Sequence, residues 1–315
     1  KSDEIFFTSG GTEGDNWVIK GVAFEKAQFG KHIIVSAIEH PAVKESALWL
    51  KSQGFEVDFA PVNEEGFVDV EALGALIRPD TTLISIMAVN NEVGSINPID
   101  EIANYVKKHT HAYMHVDMTQ AIGKVDVDFK NIDLASISAH KLEGLKGSGI
   151  LVKKVHVPFV PLINGGEQEY GIRGGTSNAC VNMVFAKTLR FALENGKKYH
   201  DYITTLQQAL LKGLSTIPGV LMNQPSDAVN SVVNFSYEKI PSEVMQNALN
   251  KKGFMVSARS TCASKSDDPS YVLSAMGYSS KRASSCIRIS LTYHNTEEEI
   301  ASFIESLKEI ISQYG

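Results

Sequence analysis

Short apolar runs alternate along the chain with longer stretches in which apolar residues recur at helical spacing. Ile5–Ser9, His32–Ala37, Thr82–Val89, Tyr113–Asp117, Leu134–Ser138 and Gly149–Val152 predict strands, and Glu13–Phe29, Ala42–Gln53 and Asp100–His109 predict helices between them. The strand runs are mostly apolar throughout rather than alternating. Buried strands separated by helices imply a mostly parallel sheet covered on both faces. The pattern changes near residue 195. A long polar helix is predicted over Lys197–Leu214, then a strand at Ser231–Ser236, a helix at Ser242–Lys251, strands at Phe254–Ala258 and Ile287–Leu291, and an amphipathic last helix from Thr296 to about Ser312. The expectation is a large α/β domain over 1–196 and a smaller C-terminal α+β domain over 197–315. The opening Lys1–Thr8 runs straight into a strand, which predicts that an N-terminal segment precedes it.

Composition narrows the function classes. The 315 residues are 43% hydrophobic and 21% charged, with a formal net charge of −6. That is an ordinary globular balance, and its scattered basic residues do not make a nucleic-acid surface. No apolar run reaches the ~20 residues of a membrane helix, and no stretch reads as a signal peptide. Three cysteines, Cys180, Cys262 and Cys286, argue against a disulfide framework and for a reducing, cytoplasmic setting. No Cys-x-x-Cys or His-rich cluster suggests a metal site.

Ligands of open α/β sheets bind beyond the carboxyl ends of the strands, so polar residues there are the candidates for chemistry. Thr8–Glu13 follows a strand and opens a helix. Its Gly10-Gly11 pair lets the backbone approach an anion at the helix N-terminus, and Thr12 adds a hydroxyl; the same pattern also serves as plain helix capping. Asp117 ends a strand, where a buried acid needs a partner. A helix cap or ion pair would serve, and so would the protonated pyridine nitrogen of pyridoxal phosphate, which acts as an electron sink only with such a partner. Ser138-Ala139-His140-Lys141 ends another strand and leads into the glycine-rich Gly144–Gly149. A lysine in a partly desolvated pocket has a lowered pKa and can form an imine. Lys141 follows Asp117 by about two dozen residues.

Taken in order along the chain, these motifs resemble a cysteine desulfurase of the NifS/IscS type, within the class-V aminotransferase family of fold-type-I, aspartate-aminotransferase-like pyridoxal-phosphate enzymes. The matching segments are Thr8–Glu13, Glu39-His40, Asn90–Gly94, His115–Gln120, Ser138–Lys141, Arg173–Thr176, Cys262 with Pro269–Leu273, and Ile287–Ser290. The resemblance implies that Lys141 binds the cofactor covalently and moves protons. It implies that His40 stacks on the ring, Asp117 pairs with the ring nitrogen, Gln120 bonds the ring hydroxyl, and Asn91 lies near cofactor and substrate. Gly11, Thr12, Ser138 and His140 would bind the phosphate, and Thr176 would reach the phosphate of the other subunit of a homodimer. Arg288 would hold the substrate carboxylate in a bidentate fork that lysine cannot replace.

Cys262 decides the reaction in this reading. It lies in the polar stretch Ser257–Asp268, which is expected to be a mobile, exposed loop, with Arg259 and Lys265 lowering the thiol's pKa. Its thiolate would take sulfur from L-cysteine as a persulfide, leaving L-alanine, and hand it to a protein acceptor in iron–sulfur assembly or tRNA thiolation. Cys180 and Cys286 read as buried and inert. The sequence departs from the family at Arg259, Thr261, Leu145 and Glu167, and in lacking the family's earlier N-terminal segment. An aminotransferase or selenocysteine lyase on the same scaffold, or a non-catalytic sulfur-carrier or scaffold subunit, are the competing readings.

Overall fold

The computed structural model describes residues 1–258 and 268–315. The chain divides into two units: Lys1–Pro61, Val68–Val89 and Asn97–Glu194 in the first, and Val62–Phe67, Asn90–Ile96 and Asn195–Gly315 in the second. The single expected division after residue 196 therefore differs from the structure. Two short segments, 62–67 and 90–96, also belong with the second unit.

The first unit is built on a seven-stranded sheet. In chain order its strands are β1 (Ile5–Thr8), β2 (His32–Ser36), β3 (Glu56–Ala60), β4 (Thr81–Ser85), β5 (Tyr113–Asp117), β6 (Leu134–Ser138) and β7 (Gly149–Lys153), and across the sheet they run β1-β7-β6-β5-β4-β2-β3. β7 alone is antiparallel to its neighbours, and the remaining pairs are parallel. Every residue of β2, β4 and β6 is buried, as parallel strands covered on both faces require. The helices are α1 (Gly11–Lys26), α2 (Pro41–Ser52), α3 (Val70–Leu76) and α4 (Ile99–His109). α4 buries Ile99, Ile102, Ala103 and Val106, a stripe at i, i+3, i+4 and i+7. Trp17, Val18 and Val22 of α1 pack with Leu83, Leu134 and Leu151 of the strands.

The helix α5 (Ala179–Ser215) has 37 residues and contains the division between the units. It begins eighteen residues before the predicted Lys197. Apolar Met183, Val184, Phe191 and Leu193 are exposed on its first half, so no buried stripe marked that half as helical.

The second unit carries a three-stranded antiparallel sheet, ordered β10-β9-β8, from β8 (Leu221–Met222), β9 (Val232–Ser236) and β10 (Cys286–Ser290). Its helices are α6 (Ser242–Lys251), α7 (Tyr271–Ala275), α8 (Ser280–Ser284) and α9 (Glu297–Tyr314). α9 opens with a Thr296–Glu299 capping box and buries Ile300, Phe303, Ile304, Leu307 and Ile310. These pack with Val233, Phe235, Ile287 and Ile289 of the sheet. The predicted strand at Phe254–Ala258 does not form. Phe254 N–H closes the end of α6 on Leu249 O, with Gly253 at φ 92°, and only Ser257 bridges to β10 at Arg288.

Candidate active site

Strand register gathers the predicted site. Thr8 at the end of β1 and Ser138 at the end of β6 both pair with Gly149, which opens β7. Asp117 ends β5 opposite Ser136 of β6. Three motifs distant in sequence thus reach one edge of the sheet, at the carboxyl ends of its parallel strands.

Small residues let them meet. A Cβ at Gly149 would lie 2.6 Å from Gly10 Cα, so the turn after β1 crosses directly over the start of β7. A Cβ at Gly11 would lie 2.9 Å from Thr119 Oγ1 and 3.6 Å from Ser138 Cβ. Thr119 Oγ1 is buried with no hydrogen-bond partner among the described residues. Gly10 is the N-cap of α1 and offers no side-chain cap, so the first N–H groups of the helix face the same cradle. Ser138 Oγ and His140 Nδ1 are 2.8 Å apart, which adds a linked pair of polar groups. An anionic group is what these donors fit, and a phosphate answers that description. Thr12 and His140 are exposed beside it.

Around this cradle stand the groups expected to face a ring. Asp117 is buried, and its Oδ1 accepts from Thr119 N–H at 2.8 Å. His40 is the N-cap of α2; its Nδ1 accepts from Ala42 N–H at 3.1 Å, which fixes one ring nitrogen and the ring's orientation. Burial lowers the His40 pKa; the charge of Asp117 opposes that shift and the charge of Lys141 reinforces it. Gln120 is half-buried on the turn after β5. Lys141 lies on the 3-10 turn Ala139–Leu142 and is exposed in the isolated chain. The described residues therefore leave it more open than the partly desolvated pocket expected for it. Cradle, acid, imidazole and lysine together fit pyridoxal phosphate.

Asp15 and Lys124 carry no sequence signal that marks them, and Glu39 and His115 stand in the matched motifs without a role assigned to them. Asp15 on α1 is buried, and its pKa is raised well above the carboxylate range by burial, then by the charges of Asp117 and Glu39. His115 of β5 is buried between Ser85 Oγ (2.8 Å from Nδ1) and Ser136 Oγ (3.0 Å from Nε2), and burial pushes its pKa down to about 3. Glu39 accepts from Ser36 Oγ at 2.5 Å and Met87 N–H at 2.7 Å, and burial raises it to about 8. Lys124 Nζ donates to Gln120 Oε1 at 3.0 Å. Arg173 Nε and Nη2 donate to Glu13 Oε1 and Oε2 at 2.9 and 3.2 Å, which ties the Arg173–Thr176 segment to the first turn of α1. Glu13 and Arg173 had both been noted within motifs, but nothing in their spacing paired them. Thr176 is exposed, and none of the described contacts joins it to the cradle.

The residues expected on the substrate side lie in the second unit. Arg288 on β10 donates through Nη1 to Asn91 O at 2.9 Å and through Nη2 to Ser257 Oγ at 3.1 Å. Burial lowers its pKa, against the charge of Glu92. Arg288 Nε and Asn91 Oδ1 are buried without hydrogen-bond partners among the described residues. Cys262, with Arg259, Thr261 and Lys265, lies outside the described residues. On either side of that segment Ser257 is bridged to Arg288, and Ser270 Oγ donates to Glu92 Oε2 at 2.6 Å. Cys286 is buried as expected, but Cys180 is exposed on the first turn of α5, where its small apolar neighbours had suggested burial. Among the described residues, no cluster of His, Cys, Asp and Glu could hold a metal ion, and no helix is long and apolar enough to cross a membrane.

Comparison with known proteins places the chain in a family. The aminotransferase class-V family model matches residues 1–303. The cysteine desulfurase IscS of Clostridium botulinum (strain Hall) is 43% identical over 319 residues, covering 99% of this chain and 80% of the relative. The IscS of Methanosarcina thermophila is 42% identical over 316 residues, covering 99% of this chain and 78% of its own length. A solved NifS-like protein superposes with a TM-score of 0.93 at 38% identity, covering 99% of this chain and 84% of that one. The chain belongs to the class-V aminotransferase family, whose enzymes use pyridoxal 5′-phosphate. Within it the chain groups with the cysteine desulfurases of the NifS/IscS type.

Proposed function

We propose that the chain converts L-cysteine to L-alanine and places the released sulfur on Cys262 as a persulfide, for delivery to a protein acceptor in iron–sulfur assembly or tRNA thiolation. The observation that carries this reading is the meeting of Gly10-Gly11, Thr119, Ser138 and Asp117 at the carboxyl edge of the large sheet. When bound, the cofactor supplies an electron sink for charge developing at the substrate's α-carbon.

The residues divide the remaining work. Gly11 N–H, Thr12, Ser138 and His140 hold the phosphate. Asp117 keeps the ring nitrogen charged, His40 covers a ring face, and Gln120 meets the ring hydroxyl. Lys141 holds the cofactor, then takes and returns protons at the substrate carbon. Arg288 and Asn91 hold the substrate, with the guanidinium forking onto its carboxylate. The Cys262 thiolate attacks the substrate's sulfur, the carbon–sulfur bond breaks, and the carbon is protonated to alanine. The new S–S bond leaves Cys262 one sulfur heavier.

A homodimer, with Thr176 reaching the partner's phosphate, is supported by the exposed Met183, Val184, Phe191 and Leu193 of α5. The low cysteine count supports a reducing, cytoplasmic setting. The test is turnover of L-cysteine by purified wild type and Cys262→Ala. Sulfide release should accompany alanine and fall by about two orders of magnitude or more in the variant. Release at the wild-type rate from Cys262→Ala would sink the Cys262 mechanism.

A further inference from the structure

The turn after β5 contains a second lysine that the proposed chemistry leaves without a role. Residues 119–124 form a tight turn with Gly123 at φ 76°, a conformation that brings Lys124 back over Gln120. Lys124 Nζ donates to Gln120 Oε1 at 3.0 Å. An ammonium has donors only, so the oxygen of the amide must face it. The NH2 end of Gln120 must then point elsewhere, and it can only donate. The lysine is half-buried, and burial, then the charge of Lys141, lowers it to about 8. The two ammonium groups are thus near enough to act on one another.

We propose that Lys124 is a positioning residue: by holding Gln120 Oε1 it makes the amide an obligate donor and so selects the deprotonated oxygen on the cofactor ring. The inference rests on the reading that Gln120 meets the ring hydroxyl. An untethered amide can flip and offer its carbonyl instead, which would favour a protonated hydroxyl. The tethered amide and the nearby positive charge both favour the anion. Both therefore lower the pH at which the cofactor held by Lys141 loses its proton. Asp117 and His115 of β5, Asp15 of α1, Glu39 and His40 at the start of α2, and His140 and Lys141 after β6 are the other charged or titratable groups around the ring, and they are common to every variant below.

The test is a pH titration of the visible absorption of the holoenzyme. Lys124→Met should raise the midpoint by about one pH unit. Lys124→Arg, which keeps both donor and charge, should stay near wild type. Should Lys124→Met not fold, Lys124→Ala, which also removes donor and charge, replaces it, with a raised midpoint again expected. A lysine that merely packs the turn would change stability without moving the midpoint. A wild-type midpoint in the neutral variant, with a shifted one in Gln120→Ala, overturns the role of Lys124 alone. An unshifted midpoint in Gln120→Ala overturns the placement of Gln120, and the proposal with it.

Discussion

Around Asp117, where the ring is proposed to sit, the buried Asp15, Glu39 and His115 share a small space, and the protonation of these three follows from burial. Asp15 and Glu39 both have raised pKa values, each pushed further by the charge of Asp117. His115 stays neutral between two serine hydroxyls. The arrangement surrounds Asp117, the acid proposed to pair with the ring nitrogen, with groups that burial holds neutral. Asp117 was legible in the sequence because it ends an apolar strand. Asp15 was not, because an acid near the start of a helix reads as ordinary first-turn chemistry. Glu39 has a consequence for stability. Its folded pKa is about 8 against an ordinary 4.5, so between those values the unfolded chain has released a proton that the folded chain retains. Stability from this group is full below pH 4.5 and is lost as pH rises toward 8. His115 acts in the opposite sense, costing stability as pH falls from 6.5 toward 3. Glu39→Gln keeps the oxygen that accepts from Ser36 and Met87. Thermal unfolding across pH 5 to 8 should therefore show wild type losing stability relative to Glu39→Gln as pH rises. A difference that stays flat with pH would show that Glu39 is ionised in the fold.

At the scale of elements, the site is a matter of which strand ends meet. The apolar runs located β1, β2, β5, β6 and β7 to within a residue or two, because buried parallel strands carry a continuous signal. Which strands lie side by side was not legible, since the order β1-β7-β6-β5 comes from long-range packing. β3 and α3 were missed: β3 alternates charged and apolar residues as an edge strand, and α3 has only seven residues. The glycines of the site gain their meaning only from the fold. A side chain at Gly149 would drive into the Gly10 turn at 2.6 Å, and such overpacking costs about 1–3 kcal/mol. Gly149→Ala should therefore displace the phosphate cradle and weaken cofactor binding by about tenfold or more. Equilibrium release of cofactor, followed by fluorescence, measures this. Unchanged affinity would mean that the turn after β1 does not hold the phosphate.

For the whole molecule, the sequence showed two units but not how the chain is shared between them. The segment 90–96 lies in a stretch with no composition change, yet it belongs with the second unit, where Asn91 meets Arg288. The first half of α5 was not legible either, since most of its apolar residues stay exposed on the single chain and give no one-sided stripe. Those exposed residues argue for the proposed homodimer. Met183→Glu combined with Phe191→Glu should shift the protein toward monomer in sedimentation, and an unchanged dimer would place the interface elsewhere. The function as a whole turns on where the sulfur goes. Mass spectrometry of the protein after a single turnover of L-cysteine should find one added sulfur atom on the peptide bearing Cys262, in step with alanine formed. Alanine and sulfide appearing at full rate with Cys262 unmodified throughout would contradict the account.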